Sequence, residues 1–168
     1  MAVIGNTGSG KTTFAQALAR RLGVPHVELD ALHWQSGWVM TPTEDVQARV
    51  AEVLAGEGWV IDGNYGATLG TTVLEQSDRV VWLDPPFAVT FWRLLRRTAR
   101  RIHSREALWD TTNIETFRGA FLSRDSILWY LLKTYRHRRR RCAELADAYA
   151  HVRLRSKREV ERFLETAE

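Results

Sequence analysis

The 168-residue chain has a single cysteine, Cys142, so no internal disulfide can form. A reducing cytoplasm is the compartment expected. No run of about 18 apolar residues occurs, which excludes a membrane-spanning helix. No secretory signal is expected, because the sequence runs straight into a glycine-rich loop. Only two or three strand residues precede Gly5, which is short for a buried parallel strand. The natural chain is therefore expected to start upstream of Met1. Cations are also scarce early on: between residues 22 and 78 the only Arg or Lys is Arg49. Repeats, linkers and low-complexity stretches are absent, apart from the arginine run 138–141.

Hydrophobic residues make up 45% of the chain, enough for one domain spanning residues 1–168 with a real core. The formal net charge is +4, and it is unevenly placed. Residues 93–141 hold 14 basic and 4 acidic residues, a local balance of +10, while the rest of the chain balances at −6. Whatever anionic ligand the chain meets, it meets this central segment.

The most informative stretch is GNTGSGKT, residues 5–12. It satisfies the phosphate-loop pattern GxxxxGK[ST] at every fixed position. Glycines at 5, 8 and 10 let successive backbone N–H groups turn toward phosphate oxygens. The helix that follows adds its positive end. Lys11 has the reach for β- and γ-phosphates, and the Thr12 hydroxyl suits Mg²⁺. The donor-binding set is thus Gly5, Asn6, Thr7, Gly8, Ser9, Gly10, Lys11, Thr12 and Thr13. The surroundings agree. Residues 2–4 are an apolar strand, and Phe14, Ala15, Leu18, Ala19 and Leu22 line one helix face before Gly23 stops it.

Strand and helix patterns then alternate. Further strands are expected at residues 26–29, 59–61, 79–83 and 151–154. Thr41-Pro42-Thr43-Glu44 has the form of a capping box opening a helix that carries Val46, Val50, Val53 and Leu54. Asp84, before two prolines, is expected to cap a long helix with Phe87, Phe91, Leu94, Leu95, Thr98 and Ile102 inside. Ser123 is expected to cap another helix, from Arg124 to about Asp147, and Ser156 to Glu159 a last one. This is the pattern of a three-layer α/β sandwich with a five-stranded parallel sheet. Ligands in such sheets sit beyond the C-terminal strand ends. That rim would carry residues 5–12, Asp30, Asp62 and Asp84.

Asp62 suits a Walker-B-like metal role, or else a turn before Gly63. Asp30, at the end of the second strand, suits proton acceptance from a hydroxyl nucleophile, metal holding or a turn. Residues 31–38, with two Trp and a His, suit either a planar acceptor or a hydrophobic flap. Arg93 and Arg97 lie one helical turn apart, and Arg124 follows a lid-sized irregular segment. Guanidinium groups so placed stabilise a migrating phosphoryl group and help exclude water. Arg138–Arg141 read as a solvated face.

Several segments carry a resemblance beyond the generic loop. They are GNTGSGKTT, LDALHW (29–34), DGNY (62–65), VWLD (81–84) and SRDSIL (123–128). On them the chain resembles the adenylate kinase-like branch of P-loop phosphotransferases. Within that branch it looks most like the topology modulation protein, or FlaR-related, kinases. The resemblance implies strand order 2-3-1-4-5, an acceptor-binding flap at about residues 31–56 and a lid at about 100–124. It implies phosphate-binding roles for Arg93, Arg97 and Arg124, with Arg136 a weaker candidate, and adenine contact by the backbone near Arg155. The chain departs from adenylate kinases in lacking an Arg after the third strand and on the flap. Asp30 instead resembles the carboxylate with which shikimate and gluconate kinases meet the accepting hydroxyl.

The reading that follows is an ATP- and Mg²⁺-dependent kinase acting on a small acceptor, preferably through a hydroxyl. The rivals are a nucleotide-binding regulator that contacts nucleic acid, and a toxin-like kinase. No membrane partner is expected, and the sequence does not fix the oligomeric state.

Overall fold

The computed structural model describes residues 1–63, 68–122 and 126–167. Five strands form one parallel sheet: β1 (Ala2–Gly5), β2 (His26–Glu28), β5 (Val60–Asp62), β6 (Val80–Leu83) and β7 (His151–Leu154). Their order is β2-β5-β1-β6-β7. Counted within this sheet alone, that is 2-3-1-4-5. The labels differ because a small antiparallel hairpin, β3 (Trp34–Gln35) and β4 (Val39–Met40), intervenes.

The register follows from side-chain alternation. Val3, Val60, Val81 and Leu83 face α1 (Lys11–Leu22) and α7 (Lys157–Thr166), meeting Phe14, Leu18 and Phe163. Ala2, Ile4, Ile61, Val80 and Trp82 face the opposite layer. That layer is built from α3 (Thr43–Leu54), α4 (Thr72–Glu75) and α6 (Ile127–Asp147), through Val46, Val50, Val73, Leu74, Cys142 and Ala146. Both sheet faces are therefore dry, as parallel strands require. The strands show the continuous apolar runs of that arrangement.

Several local expectations change. Asp30 does not end a strand. It lies in the first turn of a short helix, α2 (Leu29–His33), on an exposed face. The Thr41 box does not form: Pro42 is the N-cap, without a side-chain cap, and the Thr41 amide bonds His33 O at 2.9 Å. Asp84 does not cap α5 (Phe87–Ser104), whose N-cap is Pro86. The inward stripe of α5 is Thr90, Leu94 and Thr98, while Phe87 stays 38% exposed. The cap of α6 is Ser126, whose hydroxyl accepts from Trp129 N–H at 3.1 Å. The expected cap Ser123 lies outside the described residues. Ser156 does cap α7, accepting from Glu159 N–H at 3.2 Å.

Candidate functional site

The phosphate loop joins β1 to α1 through Gly5, Gly8 and Gly10, all at positive φ. Two of these glycines are needed for space as well as rotation. A Cβ on Gly5 would lie 2.5 Å from Leu83 O, and one on Gly8 would lie 2.7 Å from Thr90 O. The loop is thus wedged between β6 and α5. Ser9 N–H donates to Asn6 O at 3.1 Å, which closes the turn. Arg93 Nη1 donates to Ser9 O at 3.0 Å, so α5 holds the loop from its far side. Asn6 Oδ1 and Ser9 Oγ are buried without partners. Thr7 is half-buried and Thr13 exposed.

Lys11 is buried, and its Nζ donates to Asn6 O at 3.2 Å. Burial pushes its pKa down, and the Asp30 and Asp62 carboxylates oppose that push. An ammonium in this setting gains from an arriving polyphosphate.

At the rim, Thr12 Oγ1 lies between two carboxylates, 3.2 Å from Asp62 Oδ1 and 3.3 Å from Glu28 Oε1. One hydroxyl has one proton, so it cannot serve both acceptors at once. A second positive centre is what such a site lacks, and three hard oxygens suit Mg²⁺. Among the described residues no group of three His, Cys, Asp or Glu forms a metal cage. Mg²⁺ in kinase sites is held instead by one or two protein oxygens, waters and substrate phosphates. The residues present therefore fit that ion.

Two orienting contacts were not anticipated from the sequence. His26 Nε2 lies 2.7 Å from Asp62 Oδ2, which fixes that carboxylate. Trp109 Nε1 donates to Glu28 Oε1 at 3.1 Å. Burial pushes the Glu28 carboxyl up, the Trp109 hydrogen bond opposes this, and the Asp62 and Asp30 charges add to the rise. His26 and Glu28 lie two apart on β2 and so share a face, and that two-residue period was the available signal.

Arg97 is mostly buried, and its Nε has no partner. Burial and then Arg101 press its pKa down, while Glu115, Asp30 and Glu28 oppose. Arg101 itself pairs with Glu115 at 3.0 Å. Arg93, Arg97, Lys11, Asp30, Glu28 and Asp62 thus surround one rim. Arg155 is exposed after β7, and its backbone N–H donates to Glu159 Oε2 at 2.6 Å, so that donor is engaged. Arg136 is exposed on α6. Arg124, Asn64 and Tyr65 lie outside the described residues.

The flap and the lid-side segment touch. Asn113 is buried and accepts from Trp38 N–H at 2.8 Å while donating to Gln35 O at 2.9 Å. Trp34, Trp38 and Trp109 stand edge to face, with centroids 5.7 and 6.2 Å apart.

Comparison with known proteins follows the same lines. Residues 1–61 match the family model of the "ATPase family associated with various cellular activities (AAA)". A segment of 57 residues is 40% identical to shikimate kinase 2 of Sodalis glossinidius (strain morsitans). That segment is 34% of this chain and 28% of the relative, so the match spans well under a third of the relative's length. Among solved structures, shikimate kinase from Acinetobacter baumannii in complex with shikimate is similar, with TM-score 0.63 and 16% identity. That likeness covers 98% of this chain and 89% of the other. A sugar kinase from Janibacter sp. HTCC2649 gives TM-score 0.53 at 21% identity, covering 99% of this chain and 90% of the other. Identities this low speak for the fold alone: an α/β fold with a five-stranded parallel sheet, similar to that of these kinases.

Proposed function

We propose that this chain is an ATP- and Mg²⁺-dependent kinase that moves the γ-phosphoryl group to a hydroxyl of a small acceptor. The observation carrying this reading is the Thr12 hydroxyl set between Glu28 and Asp62, directly after the buried loop lysine. Lys11 and the loop amides hold the donor phosphates. Thr12, with Asp62, holds the metal, which when bound neutralises charge on the donor phosphates. Asp30 orients the acceptor hydroxyl and takes its proton as that oxygen bonds to phosphorus and the bond to the leaving ADP breaks. Arg93, Arg97 and Arg124 stabilise the migrating charge.

The hydroxyl preference rests on charge. Residues 22–78 supply only Arg49 as a cation, and it lies exposed on α3. Glu28, Asp30 and Asp62 make the same side acidic, which disfavours an acceptor phosphate. Residues 1–168 form one kinase-like domain in this reading, with the flap at about 31–56 and the lid at about 100–124. The finer kinship with topology modulation proteins belongs to the same proposal.

The test is ADP release from ATP·Mg²⁺ with pooled nucleosides, small polyols or nucleoside monophosphates, using Lys11→Ala as control. Stimulation by nucleosides or polyols that depends on Lys11 is expected. Stimulation by monophosphates alone would contradict the hydroxyl preference, and ADP release retained in Lys11→Ala would contradict the site.

A further inference from the structure

Trp109 stands at the tip of a tightly built loop. Leu108 N–H donates to Asn113 O at 2.9 Å, and Thr111 N–H donates to Leu108 O at 3.0 Å. Thr111 Oγ1 in turn donates to Leu108 O at 2.7 Å and accepts from Asn113 N–H at 3.0 Å. Ala107 and Ile114 close the loop base as an antiparallel bridge. Leu108 and Asn113 are buried beneath it. At the tip, Trp109 and Asp110 take left-handed backbone angles, φ 54° and 56°. Such angles are costly for residues other than glycine and persist only where the surroundings impose them.

The strained tip has one polar product. It aims the indole N–H at Glu28 Oε1, an atom 81 residues away in sequence that also faces Thr12 Oγ1. The ring edge rests on Trp38, which is itself left-handed at φ 60°. Both contacts come from segments outside the sheet, whereas Glu28 ends β2. Asp62 has a matching support: its Oδ2 faces His26 while its Oδ1 faces Thr12. Each of the two carboxylates beside Thr12 therefore has its own orienting donor. For Asp62 the donor comes from inside the sheet. For Glu28 it comes from the lid-side loop.

We propose that Trp109 is a positioning residue for the metal-bearing rim, acting through Glu28, so that seating of the lid-side loop against the flap sets the carboxylate for Mg²⁺·ATP. This rests on the kinase reading above. The indole N–H holds Glu28 Oε1 in place beside Thr12, whose single proton can then go to Asp62. The Thr12 lone pairs would then be available to a cation. Without the indole donor, Glu28 is free to turn away, and the metal site loses one of its fixed oxygens. The loss falls on magnesium-dependent nucleotide binding and not on the fold.

The test is the affinity of a fluorescent ATP analogue in saturating Mg²⁺ and in EDTA, for the full chain and for Trp109→Phe. Phenylalanine keeps a ring against Trp38 and removes only the N–H. The expected result is affinity in Mg²⁺ weakened by about tenfold to a hundredfold, the size of one lost hydrogen bond to a charged group. Affinity in EDTA and melting temperature stay at their unsubstituted values. In a Glu28→Gln background the same substitution adds no further loss. Equal affinities in both conditions would overturn the proposal, as would equal losses in both conditions with a lowered melting temperature, the mark of packing alone. If the unsubstituted chain binds no nucleotide, or binds it equally in Mg²⁺ and EDTA, the kinase reading fails first and this inference falls with it.

Discussion

Lys11 carries a positive charge out of water, with a loop carbonyl as its hydrogen-bond partner. Such a burial costs stability unless an anion arrives. Lys11→Ala is therefore expected to lose phosphoryl transfer by about a thousandfold or more while its melting temperature holds or rises. Thermal unfolding beside ADP release checks both halves. Asp30→Asn is expected to lower kcat by about a hundredfold with ATP affinity nearly unchanged, as befits a group facing the acceptor. Equal kcat in the two proteins would remove its role. At this scale the shape of the loop was legible, since Gly5, Gly8 and Gly10 take the positive φ that the pattern calls for. Asp62 was legible from its place at a strand end. Glu28 and His26 were written in the two-residue alternation of β2, but a carboxylate and an imidazole on a short strand read equally well as ordinary solvent-facing residues. Trp109 was not legible, because its partner lies 81 residues away and is met only through folding.

Among the elements, Asp84 ties α6 to the sheet through an ion-pair cluster instead of capping α5. Asp84 is 4% exposed at the end of β6 and is paired by Arg139 of α6 at 2.7 Å and by Arg153 of β7. Arg153 also lies over the Trp82 ring, 4.3 Å from its centroid. Burial pushes the Asp84 carboxyl up, yet the hydrogen bonds and charges of the two arginines outweigh it and hold the pKa below its ordinary value. The sign follows from that depression. The pairing stabilises the fold fully above the ordinary carboxyl range and is lost as pH falls through the depressed value. Asp84→Asn is expected to cost about 2 kcal/mol at pH 7, the lower side of a broken buried pair because both arginines are part-exposed. In urea unfolding the gap between the two proteins should narrow toward pH 3; a gap independent of pH would contradict the assignment. The sequence pointed elsewhere because Asp-Pro-Pro is a strong helix-start signal, and the competing arginines are 55 and 69 residues distant. The same local ambiguity moved the α6 cap. Ser123 precedes Arg124 and Asp125 whereas Ser126 directly precedes Ile127 and Leu128, and packing of Leu128 and Leu131 on Leu94 accompanies a helix opening after Ser126. Gly8→Ala is a sharper test of an element contact. Its Cβ would strike α5 at Thr90 O, so nucleotide binding and melting temperature should both fall.

For the whole molecule, the alternation of apolar strands and amphipathic helices made the layers and the parallel sheet readable before any coordinates. The β3–β4 hairpin was not readable, since two-residue strands leave no periodicity. The charge pattern resolves in part. Of the central arginines, Arg93 and Arg97 turn to the phosphate loop and rim, Arg101 pairs with Glu115, and Arg139 pairs with Asp84. Four of the fourteen cations in the +10 segment are thus engaged by internal anions or by the rim. The most direct test follows the phosphorus itself. Phosphorus-31 NMR of ATP and Mg²⁺ with a nucleoside and polyol pool should show a new phosphomonoester resonance growing with ADP in the presence of the protein, and none with Lys11→Ala. ADP without a new ester, or an ester formed equally by Lys11→Ala, would contradict the account.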